Sequence, residues 1–171
     1  MKKIILKKKD AYDLCSVMGT VVQEQSEKLD FKDVLYIQKS INLIMDIIKD
    51  FVDVVEKLNK ERNSYVEIAN KKITAFKQKL TTSEKDGVLN DAYQKKVEAY
   101  VATMLEEAKT EIELEISPRN KELYEGIGLE DVSIELEDDK HKLFVSNFEK
   151  YAKEKYINKK VMVETYEKLT V

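Results

Sequence analysis

The stretch IQKSINLIMDIIKDFVDVVEKL, residues 37–58, decides the architecture. Its apolar residues fall at Ile37, Ile41, Ile44, Ile48, Phe51, Val55 and Leu58, alternately four and three residues apart. That spacing turns one stripe of a helix toward a neighbour for about six turns. A second apolar edge at Val34, Met45, Ile47, Val52 and Val54 broadens the stripe. A face that wide meets more than one element, which places this half in a core.

Working outward, the pattern predicts a single helix from Asp30 to Leu80. Asp30 suits the N-cap, and Leu29 before it can staple onto Val34. Beyond Leu58 the seam continues through Arg62, Tyr65 and Ala69, then through Ile73, Phe76 and Leu80. The later steps slip by one residue against strict heptads, which signals a change of packing partner. A charged residue at a seam position such as Arg62 fixes register or oligomeric state at some cost in stability. Asp86-Gly87 then predicts a reversal of the chain. The following helix, with Leu89, Tyr93, Val97, Tyr100, Val101, Met104, Leu105 and Ala108 on one side, returns along the second half of the long one. The two form an antiparallel hairpin arm, and Arg62, Tyr65, Ile73 and Phe76 on that arm are candidate interaction residues.

Ile4, Ile5 and Leu6 predict a short strand. Asp10 reads as the N-cap of a helix whose face is Ala11, Leu14, Cys15, Met18, Val21 and Val22. Gly19 inside that helix suggests a close approach by a neighbour. Between Thr110 and Ile116, Ile112, Leu114 and Ile116 alternate with Glu111, Glu113 and Glu115, which predicts a half-buried strand with an acidic outer face. Ser117-Pro118 suits a helix start, and Gly126 its end. Val132, Ile134 and Leu136 alternate again as a strand, and residues 140–156 return to helical spacing. Residues 157–171 carry no clear period. The fold class is therefore mainly α with a small β element, with two or three short strands. It is organised as a single domain over 1–171, with a helical body and hairpin arm over about 10–109 and a small α+β part over about 110–171.

Composition narrows the function classes. Hydrophobic residues make up 43% of the 171 and charged residues 37%, with four glycines and one proline, which favours long exposed helices over a turn-rich β fold. The net charge of −3 makes no electrostatic case for nucleic acid. Lys2, Lys3, Lys7, Lys8 and Lys9 form a basic cluster that reads as a solubilising start, with no aromatic interleaved for stacking. The apolar run after Lys3 is broken by Lys7–Asp10, too soon for a signal peptide, and no run approaches the ~20 apolar residues of a membrane span. A soluble protein of the cytoplasm is expected.

Chemistry-bearing clusters are sparse. Glu137, Asp138, Asp139 and His141 lack the oxygen spacing and turn glycine of a calcium loop, and one histidine with one distant cysteine does not make a transition-metal site. Cys15 sits between apolar residues and reads as core. Gly126-Ile127-Gly128 lacks the strand and helix of a nucleotide loop. No positioned acid, base or nucleophile emerges, so no cofactor and no enzymatic activity are expected. Glu111, Glu113 and Glu115 remain as candidates for contact with a basic partner.

The opening Lys3-Ile4-Ile5-Leu6-Lys7-Lys8-Lys9-Asp10-Ala11-Tyr12-Asp13-Leu14, together with Glu111-Ile112-Glu113-Leu114, resembles a family of small proteins encoded by phages and prophages of Gram-positive bacteria. The order of elements is similar too. The resemblance implies a phage setting and a structural or accessory role, and it carries no catalytic residue. Two functional expectations follow. One is a structural or assembly protein that self-associates or binds another phage protein, found in the host cytoplasm when made and then in the virion. The other is an inhibitor that binds a host enzyme or defence complex through the acidic strand or acidic turn.

Overall fold

The computed structural model describes residues 1–25, 27–79 and 91–152, with Thr165 and Lys168. Leu80, the turn at Asp86-Gly87, Leu89 and the tail over 157–164 lie outside the described residues. Strand β1 (Lys2–Lys7) leads directly into helix α1 (Lys8–Glu24), followed by α2 (Phe31–Ile47) and α3 (Lys49–Lys79). Helix α4 (Asp91–Glu111) continues through a π-helical turn (Ile112–Ile116) into α5 (Ser117–Glu125). A short 3₁₀ turn, strand β2 (Asp131–Leu136) and helix α6 (Asp138–Asn147) complete the order, with a second π-helical turn at Phe148–Ala152. The protein is mainly α with a small β element.

The chain forms two compact units, Met1–Val54 with Leu123–Val171, and Val55–Glu122. In the first unit, β1 and β2 pair antiparallel, with Lys2 opposite Leu136 and Lys7 opposite Asp131. Their inward residues, Ile4 and Leu6 with Val132, Ile134 and Leu136, are buried, as period-two alternation requires. A cross-strand ion pair of 2.8 Å between Lys7 and Asp131 closes one end of the ladder. On the sheet's inner face pack Leu14, Cys15 and Met18 of α1, Ile37, Ile41 and Ile44 of α2, and Phe144 of α6. Each such side chain contributes about 1.5–3 kcal/mol of transfer free energy.

All seven seam residues from Ile37 to Leu58 are buried, Ile37, Ile48 and Phe51 completely. The expected single helix, however, is two. Ile48 leaves helical geometry (φ −101°, ψ 24°), although its N–H still donates to Ile44 O at 3.1 Å. Its own carbonyl accepts from both Phe51 and Val52. Neither Gly nor Pro marks the site. Ile48 itself is fully buried in the core, so packing sets the break and local propensity gives no sign of it. Just past it, Phe51 lies edge-on between Tyr12 and Tyr124, at centroid distances of 5.7 and 5.3 Å.

Three expectations are corrected. Lys7, in extended geometry, is the N-cap of α1, and Asp10 lies inside its first turn, where its charge still favours the helix N-terminus. A Cβ placed on Gly19 would meet nothing within 4 Å, so no neighbour approaches there. The strand over Thr110–Ile116 is helix. Leu114 is 67% exposed, so the alternation buries no continuous face, and Glu and Leu are strong helix formers. The π turn sits just before Pro118, whose ring would crowd the carbonyl four residues back and whose nitrogen cannot donate. Widening the turn answers that crowding, and Ser117 N–H reaches Ile112 O, five residues back.

Candidate interaction surface

The second unit is an antiparallel helix pair. Ala69 and Ala108, small and buried, let α3 and α4 approach closely. Ile73 and Met104 fill the rest of a short core flanked by Tyr65, Tyr100 and Val101. Phe76 stacks on Tyr100, with ring centroids 4.0 Å apart and planes within 10°. Lys72 lies 3.5 Å from Glu107. Arg119 donates to both carboxylate oxygens of Glu61, and this fork holds the Glu61 carboxyl below the usual carboxylate range.

Two grooves run along this pair. One, of about 520 Å³, is walled by Leu58, Arg62 and Val66 of α3 and by Leu105, Ile112 and Glu113 across from them. The other, of about 410 Å³, is lined by Tyr65, Ile68 and Lys72 facing Met104, Glu107 and Glu111. Both are open, and their rims carry apolar side chains in water: Val66 is 38% exposed, Leu105 46% and Ile68 51%. Exposed apolar side chains beside polar groups make this face a candidate interaction surface.

The candidates divide. Tyr65, Ile73 and Phe76 hold the two helices together, with Ile73 buried and the aromatic rings half-buried. Arg62, expected on a packed seam, is exposed and lines the larger groove, although Ala69, one heptad further on, is buried. Glu113 lines that same groove, Glu111 the other, and Glu115 lies in the field of Arg119. The acidic triplet therefore makes no single stripe: on a helix, residues two apart point in different directions. Leu105, expected on the apolar side of the returning helix, is 46% exposed, and Val66 and Ile68 were not singled out by the seam pattern. The signal those two carry is an apolar residue off the heptad within a charged run.

Elsewhere the groups with displaced pKa values are structural. Burial pushes the Cys15 thiol up to about 12, and its Sγ lies 3.9 Å from Ile41 O in the core. Burial, then the nearby Asp13 and Tyr12, raises the Tyr124 hydroxyl to about 12. In the acidic turn, Asp138 pairs with the Met1 amine at 3.2 Å and Glu137 with Lys140 at 2.8 Å. Among the described residues no group of three or more His, Cys, Asp or Glu could hold a metal ion, and no helix is long and apolar enough to cross a membrane. Comparison with protein families, with curated proteins and with solved structures returns no match.

Proposed function

We propose that the chain is a non-enzymatic phage assembly protein that works by helix-mediated docking through the Val55–Glu122 unit. The observation that carries this is the uncovered apolar rim of the larger groove, with Val66 and Leu105 on its opposite walls. A two-helix layer has one core and two open faces, and a further helix is the element whose ridges fit such a groove. The phage setting rests on the resemblance at residues 3–14 and 111–114. The inhibitor reading has less behind it, since its acidic strand is a helix and two members of its acidic turn are occupied by Met1 and Lys140.

The test is Val66→Asp combined with Leu105→Asp in the full chain. Both side chains are partly in water, so the fold should hold to within about 1 kcal/mol. Solution mass by light scattering, and binding to the purified structural proteins of the same particle, should both fall by at least about tenfold in affinity. Unchanged mass together with unchanged binding would remove the reading.

A further inference from the structure

The larger groove is layered along its length. The register of the helix pair, set by Phe76 on Tyr100, Lys72 near Glu107 and Glu61 on Arg119, brings Arg62 and Glu113 to nearly the same height on opposite walls. The three contacts set their offset at one to five residues, roughly 2–8 Å along the axis, which an arginine side chain can span. Toward one end lie Val66, Leu105 and Ala108, with Lys109 held by Glu106 of its own helix. Toward the other end lie the amides Asn59 and Asn120.

Resting on the docking reading above, we propose that this groove is closed by the same groove of a second copy of this chain, related by a two-fold axis running along it. Such an axis lays the α3 wall of one copy over the α4 wall of the other without changing height. The apolar end then meets the apolar end and the amide end meets amides. Arg62 of each copy faces Glu113 of the other, twice by symmetry. A two-fold axis across the groove would reverse the heights and set amides against apolar side chains, which leaves polar groups unsatisfied. The axial arrangement also gives every helix antiparallel neighbours, both within its copy and across the interface, as in a four-helix bundle.

The charge pair makes the arrangement testable by mixing. Arg62→Glu places like charges opposite each other in its own dimer, and Glu113→Arg does the same with the other sign. Each full-length variant alone should dimerise at least about tenfold more weakly than the wild type in sedimentation equilibrium. An equimolar mixture of the two should recover tight association, because every contact in the mixed dimer again joins opposite charges. Circular dichroism matching the wild type shows that the folds are intact. A monomeric wild type, or a mixture no tighter than its components, overturns the two-fold arrangement. In either case the docking reading still stands if Val66→Asp with Leu105→Asp abolishes binding to the particle's other proteins, and falls with it if that pair changes nothing.

Discussion

Lys8 opens α1 with its ammonium between two carboxylates, donating to Asp50 Oδ2 at 2.5 Å and to Glu130 Oε2 at 2.7 Å. Its side chain is 10% exposed while each carboxylate is 58% exposed, so the acids remain hydrated and the cation is the committed partner. The hydrogen bonds to Asp50 and then Glu130 raise the Lys8 pKa, and the bond from Lys8 lowers that of Asp50. The Lys8 contribution is complete below the ordinary lysine value of about 10.4 and is lost as pH rises through the raised one. The Asp50 contribution is complete above about pH 4 and is lost as pH falls through the lowered value. Lys8→Met keeps the stem and removes the charge, and should cost about 1 kcal/mol at neutral pH. Urea midpoints across pH should show that difference shrinking at both extremes; a constant difference would assign the effect to packing. The sequence shows Lys8 only as one of five clustered lysines. Nothing local marks it, because its partners come from the start of α3 and the approach to β2.

Within an element, the two glycines of known surroundings should behave in opposite ways. Gly19 stands mid-helix with nothing near its missing Cβ, so Gly19→Ala should stabilise the protein by about 0.5–1 kcal/mol through helix propensity alone. At Gly128 a Cβ would lie 3.1 Å from a Phe51 ring carbon and 3.2 Å from the Leu123 carbonyl, and that carbonyl cannot swing away as a side chain can. Gly128→Ala should therefore destabilise by about 1–3 kcal/mol. Thermal melts of both variants decide, and the same sign in both would refute the steric account. Elements were legible where one period ran long, at the seven seam positions and the face of α1, and in β2, whose short alternation does bury Val132, Ile134 and Leu136 on one face. Legibility failed at Glu111–Ile116, where a short alternating run belongs to a helix widened before Pro118. It failed again at Ile48, whose departure from the helix depends on the core around it.

For the molecule as a whole, the two units differ in how much they bury. Among the described residues, one cluster of sixteen buried residues anchors the first, whereas the cluster between the paired helices of the second holds four, with Val55, Leu58 and Ile116 buried beside it in the chain. Local opening follows buried apolar contact, so amides of 60–79 and 93–110 should exchange before those of 11–22 and 37–47 in dilute protein. Uniform protection in hydrogen-exchange mass spectrometry would mean a single cooperative unit instead. The existence of the hairpin arm was readable from the slipped seam. The open groove proposed for docking was not, since Val66 and Leu105 come onto its opposite walls only once the helices are paired antiparallel.

The pairing of Lys7 with Asp131 also imposes a timetable. A ribosome releases β1 early and then makes α1, α2 and the whole Val55–Glu122 unit before any of β2 exists. At about 5–20 residues per second, the first strand waits on the order of ten seconds for its only described partner. The helix pair of the second unit, joined by contacts nearer in sequence, can close during that wait. The half-built core of Leu14, Met18, Ile37 and Ile44 stays uncovered meanwhile, and it is the surface that a nascent-chain chaperone would meet.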